Sequence, residues 1–202
     1  ATTYGHNDVV LRAKAAAAAG SDARMSGCEL PVVIVTGSGN QGITASVPVI
    51  RYAKHIGASD ERLYRALLVS DLVTIHQKTG IGRLSAYCGA VSAGCGAGAG
   101  IAYLLGGDYR AIAHTIVNAV AILSGTICDG AKPSCAAKIA SAVEAGILGY
   151  YMYVNDQQFR GGDGIVAKGV ENTIRNVGLL ASQGMKQTDR VILNIMTGDQ
   201  CL

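Results

Sequence analysis

Apolar residues recur at helical spacing along most of this chain. Val9 to Ala19 is rich in strong helix formers, and Gly20 is the expected C-terminal stop. A polar stretch, Ser21 to Gly27, follows it. Pro31-Val32-Val33-Ile34-Val35 is a short β-branched run that enters a glycine cluster, Gly37 to Gly42, which the backbone must use as a turn or loop. Beyond it the helical signal dominates. Ser59 or Asp60 is placed to cap a helix carrying Leu63, Leu67, Leu68, Leu72 and Ile75. Arg83 to Leu105 predicts one buried helix or two. Asp108 opens another, with Ile112, Ile116, Val120 and Leu123 on one face, and Ser134 starts one running to Tyr153. Asp163 opens the next, with Val166, Val170, Ile174 and Val177 in phase, and a last helix carries Val191, Ile192 and Ile195. The clearest interior loop is around Tyr150-Tyr151 and Gly161-Gly162. The expectation is an all-α fold: a compact bundle of about seven to nine helices, with one short extended segment and a Gly-rich loop.

Composition refines this picture. Of 202 residues, half are hydrophobic and 15% charged, with 27 Gly, no Trp and one Phe, so the apolar content lies in small side chains and the core must bring backbones close together. With three Pro and so little charge, disorder is not expected. The length predicts one domain over 1–202. A net charge of +3, without a basic run, argues against nucleic acid as a partner. Leu84 to Gly107 is free of charge and long enough to span a bilayer, but it is mostly Gly, Ala and Ser. Lipid gives no reward for exposing those residues, so a buried helix is expected and no membrane partner. Six scattered Cys without a CxxC pair point to a reduced, cytoplasmic protein. The chain opens on Ala1 with no signal pattern, and is expected to be one part of a longer protein.

Two motifs offer chemistry. Gly37-Ser38-Gly39-Asn40-Gln41-Gly42 matches GxGxxG after a β-like run, with Asp60 or Glu61 about 20 residues on, as in a dinucleotide-binding unit. Against that reading, no further strands follow, and Pro48 falls within the helix such a unit requires. The same residues also suit an anion nest, with backbone N–H groups backed by Ser38, Asn40 and Gln41. A plain tight turn is the third reading. The second motif is Cys128-Asp129-Gly130-Ala131-Lys132-Pro133-Ser134-Cys135, with Cys88 well upstream. The two-to-four-residue spacing of zinc ligands is absent. Three separated Cys suit a 4Fe–4S cluster with one open iron, but by spacing alone three inert core thiols are the favoured reading.

In order along nearly the whole chain, Ser21 to Gly27, Gly37 to Ile43, Gly82-Arg83-Leu84-Ser85-Ala86-Tyr87-Cys88, Cys128 to Cys135, Gly164-Ile165-Val166 and Gln187-Thr188-Asp189-Arg190 resemble the catalytic α-type domain of the iron–sulfur serine dehydratases. The nearest branch is the cysteine desulfidases. The resemblance implies a pyridoxal-free, oxygen-sensitive lyase of amino-acid catabolism that turns L-cysteine or L-serine into pyruvate and ammonia. It implies a 4Fe–4S cluster on Cys88, Cys128 and Cys135, which an aerobic preparation can lose, with the substrate thiol or hydroxyl at the fourth iron. The substrate carboxylate then falls to the nest of Ser38, Gly39, Asn40, Gln41 and Gly42. Lys78 and Arg83 are candidates for adding positive charge, and Asp22 and Arg24 for holding the substrate ammonium or the loop. In full-length desulfidases a Cys in an N-terminal region is thought to act as the base. That region is absent here, so the base is expected outside this chain, with the chain's own N-terminal domain as a partner and a homo-oligomer as the assembly. Cys28 is expected to be structural and Cys95 a packing residue. Cys201 is a candidate resting fourth ligand, against the alternative of a free terminal thiol. The competing functions are a non-catalytic amino-acid-binding module and a dinucleotide-binding domain.

Overall fold

A computed structural model describes residues 8–198. Eight α-helices follow one another: α1 Val9–Met25, α2 Gly39–Ile56, α3 Asp60–Ile81, α4 Gly89–Leu104, α5 Tyr109–Leu123, α6 Cys135–Val154, α7 Val170–Leu179 and α8 Lys186–Thr197. A π-helical turn, Leu180–Gly184, links α7 to α8. Among the described residues there is no β-strand, only the isolated bridges Val35–Ser38 and Tyr87–Ile127. The all-α bundle with a Gly-rich loop is therefore the observed architecture, and the parallel sheet a dinucleotide unit needs is not there.

The centre of the bundle is α4. Its residues from Val91 to Ala102 are all buried, and α2, α3, α5 and α6 pack around it. Its glycines make this possible. A Cβ on Gly94 would overlap the carbonyl of Ala142, one on Gly98 the carbonyl of Gly146, and one on Gly96 the Thr74 hydroxyl and the Ser70 carbonyl. The charge-free run is thus the core of a close-packed bundle. Among the described residues, no helix is long and apolar enough to cross a membrane.

Two apolar clusters surround α4. One joins Ala13 and Ala17 of α1, Val49 and Tyr52 of α2, Ile101 of α4 and Ile147 of α6. The other joins Tyr87, Cys88, Cys95, Val120, Ile174 and Val177.

Several boundaries differ from the sequence expectations. Gly20 does not end α1, which runs on to Met25. Gly20 is where α1 approaches Ile43 of α2, and Gly27, at φ +94°, is the residue that leaves the helix. Pro31 to Val35 is not a strand; Val33 and Ile34 are exposed, and the Val33 carbonyl lies over Gly42. Pro48 sits inside α2 without ending it. On α3 the Leu68, Leu72 and Ile75 row faces outward, with Leu72 62% exposed. The inner face is Ala66, Ser70, Thr74, Gln77, Lys78 and Ile81. Short side chains take the middle of that face because Gly96 and Gly100 of α4 lie directly against Ala66, Ser70 and Thr74. Arg83 lies before α4, which starts at Gly89. Tyr150 and Tyr151 belong to α6 rather than to a loop, whereas Gly161 and Gly162 do lie in one. The helix expected from Asp163 starts at Val170, after Gly162, Gly164 and Gly169 have all taken positive φ. Val191 and Ile195 on α8 are exposed.

Candidate functional site

Three helix starts meet at one small cavity. Its volume is about 90 Å³, and its walls come from the first turns of α2 (Ser38, Asn40, Gln41), α4 (Cys88, Gly89, Ala90) and α6 (Cys135, Lys138, Ile139), closed by Cys128, Gly130 and Ala131. A helix start carries unpaired N–H groups and the positive end of the helix dipole. Three aimed at one point favour anions there, whether thiolates or a substrate carboxylate.

The glycine cluster builds the first of these starts. Thr36 and Gly37 take positive φ, at 51° and 88°, and turn the chain so that Ser38 becomes the N-cap of α2. The Ser38 side chain makes no capping bond, which leaves its hydroxyl to the cavity. Gly39 to Gly42 form the first turn, and Gly42 N–H donates to the Ser38 carbonyl at 3.1 Å. The Arg24 guanidinium donates to Asn40 Oδ1 at 3.0 Å, and the Thr36 hydroxyl donates to Gln41 Oε1. Gly42 is required where it stands, because a Cβ there would strike the Val33 carbonyl. Gly89 lies against the Gln41 amide: a Cβ there would fall 2.6 Å from the amide carbon, so Gln41 would have to move from its present position.

Cys88 caps α4 with an extended backbone and no side-chain capping bond, and only 6% of it is exposed. Its N–H donates to the Thr126 carbonyl at 3.2 Å, and Cys128 N–H donates to the Ala86 carbonyl at 2.6 Å. This pairing holds the two cysteines side by side, and their thiols share a hydrogen bond. Cys128 is the one driven toward thiolate. The Cys88 hydrogen bond lowers its pKa most, opposed by burial and aided by Gly130 N–H and the Lys138 charge. Cys88 is pushed the other way, first by that same shared bond and then by burial. Cys135 is the first residue of α6; its Sγ accepts from Lys132 N–H and donates to the Gly130 carbonyl, each at 3.5 Å.

Two lysines attend the thiols. Lys78 is only 7% exposed on the inner face of α3; burial lowers its pKa, while the nearby Cys128 and Cys88 charges raise it. Lys138, one turn into α6, donates to Asp129 and to the Ile127 carbonyl at 3.1 Å, clamping the loop that carries Cys128. The sequence reading missed Lys138. Its signal was the three-residue step from Cys135, which places both on one helix face.

Of the remaining candidates, Arg24 reaches the site through Asn40. Asp22 and Arg83 are exposed and are not part of the cavity wall. Asp22 points out from α1, and Arg83 precedes the turn that buries Tyr87. Cys28 is exposed in the loop after α1, so no packing role holds it there. Cys95 lies in the core beside Tyr87, where burial pushes its thiol up to about 12. Cys201 lies outside the described residues; the last turn of α8 before it brings the Met196 methyl against Gly130.

The donor set can be weighed against the implied cluster. Among the described residues, no three His, Cys, Asp or Glu side chains converge as ligands of a single ion. A tetrahedral ion needs every sulfur about 2.3 Å from one point. An iron–sulfur cluster offers each thiolate a different iron, and so accepts thiols spread around a cavity. Three thiols without a carboxylate or imidazole in the cavity wall are the soft set such a cluster uses. The chemistry of the residues fits, and the Cys88–Cys128 hydrogen bond is the contact a cluster would replace.

Residues 3–194 match the family model described as serine dehydratase alpha chain. A UPF0597 protein of Desulfitobacterium hafniense is 71% identical over 98% of this chain and 46% of its own length. UPF0597 proteins of Lachnoclostridium phytofermentans and Treponema denticola are 58% and 52% identical, over 96% and 95% of this chain and 46% and 44% of their own lengths. The chain thus spans under half the length of these curated relatives. No solved structure gives a significant match.

Proposed function

The chain belongs to the serine dehydratase alpha chain family, and from that premise we propose that it is the cluster-binding catalytic domain of a pyridoxal-independent lyase. The reaction is elimination of hydrogen sulfide from L-cysteine, or of water from L-serine, to aminoacrylate, which water hydrolyses to pyruvate and ammonia. The observation that carries this reading is the meeting of three helix starts, three thiols and Lys138 at one cavity, with the Lys78 charge felt by Cys128 and Cys88 behind it.

Cys88, Cys128 and Cys135 would hold the 4Fe–4S cluster. When bound, it would supply Lewis acidity toward the leaving thiolate or hydroxide. The protein's own groups do the rest. The first turn of α2 offers backbone N–H groups, the Ser38 hydroxyl and the Asn40 and Gln41 amides to the substrate carboxylate. Arg24 fixes Asn40, and Thr36 fixes Gln41, so these donors are oriented before substrate arrives. Lys78, buried with no carboxylate partner among the described residues, offsets the negative charge gathered at the thiolates. Lys138 ties down the Cys128 loop. We assign the base that removes the α-proton to the part of the full-length protein outside this chain, which covers 46% of its Desulfitobacterium hafniense relative. The cytoplasm is the proposed setting, as reduced thiols require.

The full-length protein, reconstituted anaerobically, is expected to release pyruvate from L-cysteine or L-serine without added pyridoxal phosphate. Absence of both activities in cluster-loaded protein overturns the lyase reading and leaves a non-catalytic amino-acid-binding module, which the α2 nest alone would serve.

A further inference from the structure

A second cavity of about 410 Å³ lies at the other end of the bundle. Its residues come from the start of α5 (Tyr109, Arg110, Ala113, His114, Val117) and from the loop running into α7 (Gln158 to Gly161, Val166 to Val170). The cysteine loop leaves the far end of α5, about 22 Å away at 1.5 Å per residue. The two sites are therefore separate.

The cavity has an apolar wall and a cationic rim. Val117 and Val166 are buried in the wall, beside the chain's single Phe, Phe159. Arg110, Arg160 and Lys168 stand at the rim, and none has a carboxylate partner among the described residues. Asp156 flanks the adjoining side, and the Asp163 carboxylate is taken by the Arg160 backbone N–H at 2.6 Å. Two buried polar atoms in the lining have no partner: His114 Nδ1 and Gln158 Oε1. His114 is held in place by stacking on Tyr153, with centroids 5.1 Å apart. Buried polar atoms without partners are uncommon in native proteins and ask for an explanation. The loop is fixed as well. Phe159 N–H donates to Asn118 Oδ1 at 3.0 Å, Asn176 donates to the Ile165 carbonyl at 3.0 Å, and Ala167 N–H donates to the Thr173 hydroxyl at 3.1 Å. The site is preformed rather than a gap in a floppy loop.

We propose that this cavity binds a small molecule joining a phosphate to an aromatic body, a nucleotide in class. Three unpaired cations match a phosphate dianion, with Arg forks suited to its oxygens. Phe159 and Tyr109 line the same cavity, as aromatic neighbours for a planar ring. Gln158 lines the cavity with an unpartnered amide oxygen, which a rotation of its side chain would bring to an N–H or O–H donor of a base or a ribose. The volume lies in the ordinary range for ligand pockets and is over four times that of the cysteine cavity.

Calorimetric titration of the chain with AMP, adenosine and inorganic phosphate tests this. AMP is expected to bind one to one, with adenosine and phosphate each weaker by at least about tenfold. The exposed double change Arg110→Gln with Lys168→Gln, and separately Arg160→Gln, should weaken AMP by a similar factor while far-ultraviolet circular dichroism stays unchanged. Cys88→Ser should leave AMP binding intact, which separates this site from the cysteine cavity. No heat with AMP at millimolar concentration overturns the proposal. So does AMP binding no tighter than inorganic phosphate, or unaffected by the rim substitutions.

Discussion

Gly94 of α4 and Gly146 of α6 pack backbone against backbone, so that a Cβ on Gly146 would overlap the Gly94 carbonyl. This crossing fixes where α4 and α6 lie relative to each other, and so sets the spacing of Cys88 and Cys135 at their first turns.

Gly146→Ala should therefore be costly although it adds only one methyl. Overpacking a tight core typically costs about 1–3 kcal/mol, and both neighbours here are backbone that cannot rotate away. Urea unfolding is expected to show a loss at or above the upper end of that range. Gly125→Ala, at a position with open space around it, should be near neutral in the same assay.

Lys138 predicts a separation of stability from site integrity. Its contacts to Asp129 and the Ile127 carbonyl lie near the surface, where such a pair contributes about 0–1 kcal/mol. Lys138→Ala is expected to leave unfolding nearly unchanged. It should lower iron retained after anaerobic reconstitution and desalting by several-fold, because the Cys128 loop is released. Equal retention in the two proteins would mean the clamp has no such role.

Asp71 predicts a pH dependence. Burial raises its pKa, and its Oδ1 has no partner. The folded state thus holds the Asp71 proton more tightly than the unfolded chain does. Its contribution is fully present below the ordinary carboxylate range and is lost as pH rises through the folded value. Asp71→Asn should therefore raise the melting temperature at neutral pH, and the advantage should vanish as pH falls into the carboxylate range. A constant difference across pH would show that ionisation is not the cause.

The legible part of this protein was its local chemistry. The small-residue run of α4, the caps Ser59 and Asp108, and the turn at Gly37 each follow from one stretch of sequence. Their consequences at a distance did not. The leucine row on α3 has the periodicity of an inner face, yet Gly96 and Gly100 of α4 choose Ser70 and Thr74 instead. That choice depends on a neighbour distant in sequence. Pro48 forbids one helical hydrogen bond and clashes locally, but the packing of α2 outweighs both. At the site, Cys88, Cys128 and Cys135 fall on one cavity, whereas the sequence reading overlooks Lys138 although a helix starting at Ser134 already puts it one turn from Cys135 on the same face. Asp22 and Arg83 look alike in sequence to Arg24 and Lys78; the helix face tells Asp22 from Arg24, and the end of α3 at Ile81 leaves Arg83 in the exposed turn beyond Lys78.

The central claim is that Cys88, Cys128 and Cys135 hold an iron–sulfur cluster, and iron content after anaerobic reconstitution tests it most directly. The account predicts a brown protein with about four irons per chain, lost on replacing any of the three by Ser and kept on replacing Cys95. A folded, colourless wild-type protein without iron, or loss of iron in the Cys95 variant equal to that in the other three, would contradict it.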